Sequence, residues 1–130
     1  MIYLDTSAAA KLIQIEAESA ALAVFLAERL STPLVSSALL YPELVRAVGR
    51  QRPDLVPRAI TLVQRMMTVP LMSQIVEQAA TIGHPQLRTL DALHLATAAT
   101  IATELDAFVT YDKRLADAAA RIGLAVAAPA

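Results

Sequence analysis

Residues 1–8 read MIYLDTSA. A run of β-forming residues, Ile2 to Leu4, meets a carboxylate at Asp5 and then two hydroxyl residues, Thr6 and Ser7. The pattern is a short buried strand handing over to a helix that Thr6 or Ser7 can cap. The same hand-over recurs down the chain. LVSS (34–37) follows Pro33 as a second strand and leads into ALLYPELVRAVGR (38–50), a helix with Ser36 or Ser37 as its cap. Pro42 fits the first turn of that helix, where a missing N–H does no harm. TVPLM (68–72) reads as a third strand, with Ser73 capping the helix QIVEQAATI (74–82). AFVT (107–110) is a fourth, before YDKRLADAAARI (111–122), which stops at Gly123, and LAVAA (124–128) is a fifth.

Between these units, SAALAVFLAERL (19–30) and LVPRAITLVQRMM (55–67) carry apolar residues at helical spacing. Gly83, His84 and Pro85 form a break. Thr89 caps LDALHLATAATIATEL (90–105), which is apolar or small nearly all round and therefore buried on more than one side. Short strands alternating with longer helices predict an α/β fold, with a mainly parallel sheet of four or five strands in one domain over residues 1–130. In such folds ligands bind beyond the carboxyl ends of the strands, which is where Asp5 sits.

The chain has 130 residues, 56% of them hydrophobic, enough for a substantial core. It has no cysteine, which excludes disulfides and thiolate metal sites and suits a reducing, cytoplasmic setting. No basic stretch precedes an apolar run at the N-terminus, so no signal peptide is expected, and apolar regions are interrupted too early for a membrane span. Net charge is −1, yet residues 45–76 hold Arg46, Arg50, Arg52, Arg58 and Arg65 against the single acid Asp54. A local basic patch able to hold phosphates can coexist with a near-neutral total.

Four acids occupy positions that a solvated face does not explain. Asp5 and Asp112 follow strands, Asp91 opens an apolar helix, and Glu43 lies in the first turn after LVSS. Each has an ordinary use at a helix start, worth about 0.5–2 kcal/mol. Gathered on one rim they repel, at about 4 kcal/mol for a pair 4 Å apart at an effective dielectric near 20. A divalent cation relieves that repulsion, and hard oxygen ligands without cysteine select Mg²⁺ or Mn²⁺ over structural zinc.

MIYLDTSA, SSALLYPELVRAV, LRTLDALHLATA and FVTYDKRL, in this order and spacing, resemble the PIN-domain ribonucleases, and more narrowly the toxins of VapBC-type toxin–antitoxin modules. The similarity runs over nearly the whole chain. It implies a PIN-like three-layer α/β/α fold and a metal-dependent endoribonuclease whose four acids fall on Asp5, Glu43, Asp91 and Asp112, holding Mg²⁺ or Mn²⁺. Thr6 and Thr110 match hydroxyl positions that orient the acids or a metal-bound water, and Asp117 offers help from further out. Toxins of this type cut tRNA or rRNA, usually form homodimers, and are silenced by a cognate VapB-type antitoxin whose tail enters the acidic groove. Pro42 directly before Glu43 departs from the usual apolar residue.

Around the acids, Arg46 and Arg50 follow Glu43 on its helical face, and Lys113 and Arg114 follow Asp112; all four are candidate phosphate contacts. His94, three residues after Asp91, reads as a satisfied core or near-site histidine ahead of a base or ligand, and Tyr3 and Tyr41 as packing ahead of base stacking. Leu22, Phe25 and Leu26, or Ile60, Val63, Met66 and Met67, offer an apolar face for a dimer or antitoxin. Two other functions use the same pattern: a non-catalytic acidic groove that receives an arginine-bearing peptide, and a structure-specific nuclease acting on DNA.

Overall fold

Ile2–Leu4 form β1, the middle strand of a five-stranded, all-parallel sheet in a computed structural model that describes residues 1–130. Strand order is β3-β2-β1-β4-β5, with β2 at Leu34–Ser37, β3 at Met67–Val69, β4 at Ala107–Val109 and β5 at Val126–Ala127. Because β1 pairs with β2 on one side and β4 on the other, both faces of β1 must be apolar, and Ile2, Tyr3 and Leu4 are fully buried. Side chains alternate across the sheet. Ile2, Leu4, Ala107 and Val109 enter one core, whereas Tyr3 and Phe108 enter the other, their rings stacked 5.0 Å apart between centroids.

Helices cover both faces. α1 (Thr6–Ile13), α3 (Leu40–Gln51) and α4 (Val56–Arg65) bury Ala8, Ala9, Leu44, Val48, Ala59 and Val63 in the first core, which α2 (Ser19–Ala27) closes with Leu22. α6 (Thr89–Thr100) and α7 (Lys113–Arg121) bury Leu95, Ala98, Leu115, Ala118 and Ala119 in the second, and α5 (Ser73–Ala79) packs on α6. The expected three layers are therefore present. Buried Lys11, at the end of α1, bonds Glu16 at 2.7 Å and Glu18 at 2.9 Å and locks the turn into α2.

Several helix starts differ from expectation. An N-cap needs extended backbone, and the residue that leaves a strand already has it. Of the residues able to cap α1 it is Asp5, not Thr6 or Ser7, that accepts the Ala8 N–H at 2.9 Å, and Asp112 caps α7 by accepting that of Leu115, so both acids take the helix-start use the sequence offers them. Ser73 and Thr89 are the first residues inside their helices, behind Met72 and Arg88. Ser37 takes the Leu39 N–H at 3.1 Å, but α3 begins only at Leu40, with Pro42 in its first turn as expected. β3 runs Met67–Val69 and not 68–72, because Pro70 cannot donate to the ladder. α6 stops at Thr100 and gives way to a 3₁₀ turn over Ala102–Glu104.

Most of the apolar surface expected to seek a partner is used inside the chain: Leu22, Val63 and Met66 are buried and Phe25, Leu26 and Ile60 half-buried. Met67 of that set is exposed, as are Val24 on α2 and, on the other side of the sheet, Leu71, Met72 and Val76. No helix is long and apolar enough to cross a membrane.

Candidate active site

The strand order reverses between β1 and β4, and beyond their carboxyl ends lie Asp5 and Asp112. Asp5 is 3% exposed and fully engaged. Its Oδ1 accepts the Ser7 hydroxyl at 2.7 Å and the Ala8 N–H, and its Oδ2 accepts the Thr110 hydroxyl at 2.5 Å. Burial raises its pKa, and those hydrogen bonds pull it back. Ser7 Oγ also accepts the Tyr111 N–H at 2.9 Å, so one serine ties the β1–α1 corner to the β4–α7 corner.

Glu43 arrives from α3 and is held from two sides. Thr6 donates its hydroxyl to Oε1 at 2.8 Å, and His94 Nε2 lies 2.7 Å from the same oxygen. His94 is 1% exposed, and its Nδ1 lies 2.7 Å from the Tyr3 hydroxyl. The Tyr3 oxygen accepts the Ser37 N–H at 3.1 Å, so its own proton has the imidazole Nδ1 as its acceptor. The remaining ring proton then sits on Nε2 and is donated to Glu43. His94 is thus both a satisfied core histidine and the group that aims a site carboxylate. Tyr3 packs, as expected, and carries this second task as well; its phenol is held far from ionisation by burial.

Asp91, in the first turn of α6, is half-buried and makes no hydrogen bond within the chain. It shares a cleft of about 290 Å³ with Asp112, Arg88, Lys113 and Arg114. Burial raises its pKa first, and the neighbouring Asp112, Asp5 and Glu43 carboxylates raise it further, against a lowering by His94. Four acids from four separate stretches therefore share one field. They do not close into a chelate: no three His, Asp or Glu side chains lie together tightly enough to enclose an ion. Asp5 and Asp112 are drawn instead to the helix starts they cap, and Glu43 to Thr6 and His94. The donors still fit Mg²⁺ or Mn²⁺ in kind, because the Asp112 carboxylate accepts only the Leu115 N–H, on Oδ1, and neither Asp91 carboxylate oxygen accepts a hydrogen bond.

Of the candidate phosphate contacts, Lys113 and Arg114 line this cleft, whereas Arg46 and Arg50 are exposed further along α3 and do not. Asp117 pairs with Arg121 at 3.0 Å in the adjoining cleft and touches none of the acids. Arg88 was not singled out from the sequence. Its position three residues before Asp91, at the N-cap of α6, was the available signal.

The molecule is thus a parallel α/β domain with carboxylates gathered beyond its switch point, and the family model of the PIN domain matches residues 2–121. The chain belongs to the PIN-domain family. More particularly, it is 45% identical to Ribonuclease VapC35 of Mycobacterium tuberculosis, over 99% of this chain and 97% of that protein. Among solved structures, VapC20 of Mycobacterium tuberculosis, a Sarcin-Ricin loop cleaving toxin, superposes with a TM-score of 0.76 at 17% identity, over 99% of this chain and 100% of that one. VapBC2 from Rickettsia felis, bound to a DNA fragment from its promoter, gives 0.67 at 17% identity over the full length of both.

Proposed function

We propose that this chain, one PIN-like domain over residues 1–130, is an endoribonuclease dependent on Mg²⁺ or Mn²⁺ and acts as the toxin of a toxin–antitoxin pair. The observation that carries the reading is Asp91: a half-buried carboxylate with no donor, its pKa raised by burial and by Asp112 and Asp5, on the wall of an open cleft. A group so placed is relieved by a cation. Asp5, Asp91 and Asp112 would hold the metal, with Glu43 completing the set directly or through water. When bound, the metal supplies a water nucleophile at neutral pH and charge stabilisation for a departing phosphodiester oxygen.

The chain's own residues do the rest. Thr110 and Ser7 fix the Asp5 carboxylate, and Thr6 with the Tyr3–His94 pair fixes Glu43, so both acids are held in place behind the cleft that Asp91 and Asp112 line. Lys113, Arg114 and Arg88 stand at the mouth and take the phosphates on either side of the cut. The full-length likeness to VapC ribonucleases supports the choice of RNA, with tRNA or rRNA as targets in the cytoplasm. Structural neighbours solved as toxin–antitoxin assemblies support a cognate antitoxin as partner, and a homodimer is the expected assembly.

The test is cleavage of tRNA, rRNA, single-stranded RNA and DNA of matching sequence by purified protein with Mg²⁺ or Mn²⁺. RNA cutting that stops with excess chelator and in Asp5→Asn is the expected result. Cutting that persists in either case comes from a contaminant, and equal cutting of DNA identifies a DNA-directed nuclease. No cutting, with tight binding of an arginine-bearing peptide, identifies a non-catalytic acidic groove.

A further inference from the structure

Beyond the acidic cleft, and sharing Leu87 and Arg114 with it, a second cleft of about 620 Å³ opens between the 83–87 loop and α7. Its floor is aliphatic, formed by Leu87, Ala118 and Ile122, and its rim presents His84, Gln86 and Arg114. We propose that this cleft is a nucleobase subsite: it takes the unpaired base of the nucleotide next to the scissile phosphate and sets which sequence is cut. The proposal rests on the endoribonuclease reading.

The loop is built to hold that shape. Gly83 has φ +72°, and a Cβ there would stand 3.2 Å from Leu87 Cδ2 and 3.7 Å from Ala118 Cβ, so only glycine lets the loop close onto α7. The Leu87 N–H bonds the His84 carbonyl at 2.8 Å, closing a tight turn. The Gln86 N–H bonds His84 Nδ1 at 3.1 Å, which fixes the imidazole and leaves Nε2 to face a ligand. The Gln86 side chain, with donor and acceptor on one amide, bonds nothing in the chain and is exposed.

Size and charge select the occupant. The volume suits a base with its ribose and exceeds what one phosphate fills. Arg88, Lys113 and Arg114 make no ion pair within the chain, and they line the path from Asp91 and Asp112 towards this cleft. Arg121 is the exception, held by Asp117 at 3.0 Å on the far side. A backbone following the free cations delivers its next base over the aliphatic floor, with the Arg114 plane to stack on and an amide and an imidazole to read its edge. Unpaired bases in RNA are recognised in this way, by stacking on guanidinium planes and hydrogen bonds to their edges.

The experiment measures kcat/KM on short RNAs carrying each of the four bases, or an abasic ribose, beside the cut, for wild type, His84→Ala, Gln86→Ala and a remote control, Gln64→Ala. Wild type and the control should prefer one base and lose about 10-fold or more on the abasic substrate. In the two loop variants the ratio of intact to abasic should collapse towards one. Equal rates on all five substrates by wild type, or an undiminished preference in both loop variants, would overturn the proposal. A titration with RNA carrying 2-aminopurine at that position separates this outcome from failure of the function itself. If wild type cuts no RNA the endoribonuclease reading falls, while a fluorescence change present in wild type and lost in both variants still upholds the subsite, and its absence in wild type rejects it.

Discussion

Asp91 and Asp5 both have pKa values raised by burial, so the folded chain holds protons at a pH where the unfolded chain has released them. For such acids the sign is fixed: stability is greatest below the ordinary carboxylate pKa and declines as pH rises to the raised value. Asp91→Asn removes one of the two. We expect it to raise the melting temperature at pH 7 without metal by about 3 °C and to flatten the acid limb, while cutting RNA at least about 100-fold more slowly. A calorimetric pH series and an initial-rate assay check both halves. Tyr3→Phe leaves the Ser37 N–H and His94 Nδ1 without partners in a buried setting, which costs about 1–3 kcal/mol in urea denaturation. Loss of the fixed His94 tautomer should also weaken Mn²⁺ binding by about 10–100-fold, read by titration, with the change visible in the ring nitrogen resonances of His94. Asp5, Asp91 and Asp112 were legible because a strand end or a first helical turn is a local pattern. The pairing of Tyr3 with His94 was not, since it exists only once α6 has packed on the sheet.

Elements were readable by existence and type, less so at their edges. The caps at Asp5 and Asp112 were among the uses the sequence offered for these acids, and at α1 the extended backbone of the residue leaving the strand decides for Asp5 over Thr6 and Ser7. The loop over Gly83, His84 and Pro85 was recognisable only as a break; its left-handed glycine and its fit against α7 come from tertiary contact. Gly83→Ala places a side chain at φ +72° and presses it on Leu87, so it should destabilise the fold by about 1–2 kcal/mol, measured by denaturant unfolding. Ser7→Ala should cost a similar amount, because the Tyr111 N–H loses its acceptor and the two strand-end corners lose their tie.

At the scale of the whole molecule, a parallel α/β fold followed from the alternation of short apolar runs with helical ones, but the order β3-β2-β1-β4-β5 did not. That order is what puts the ends of β1 and β4 side by side and makes separate acids into neighbours. Of the apolar residues expected to meet a partner, Leu22, Val63 and Met66 close this chain's own core while Met67 stays exposed, because sequence periodicity does not distinguish a core stripe from a free one. A cation that binds only the folded chain stabilises it by mass action, about 2.7 kcal/mol at 100 times its dissociation constant, so saturating Mn²⁺ should raise the melting temperature by about 8 °C and do so far less in Asp91→Asn. The most direct measurement is anomalous diffraction from crystals equilibrated with Mn²⁺. A peak within bonding distance of carboxylate oxygens of Asp91 and Asp112, with Asp5 or Glu43 completing the shell, is the expected result; saturating Mn²⁺ with no peak among these four side chains would contradict a metal-dependent site at this rim.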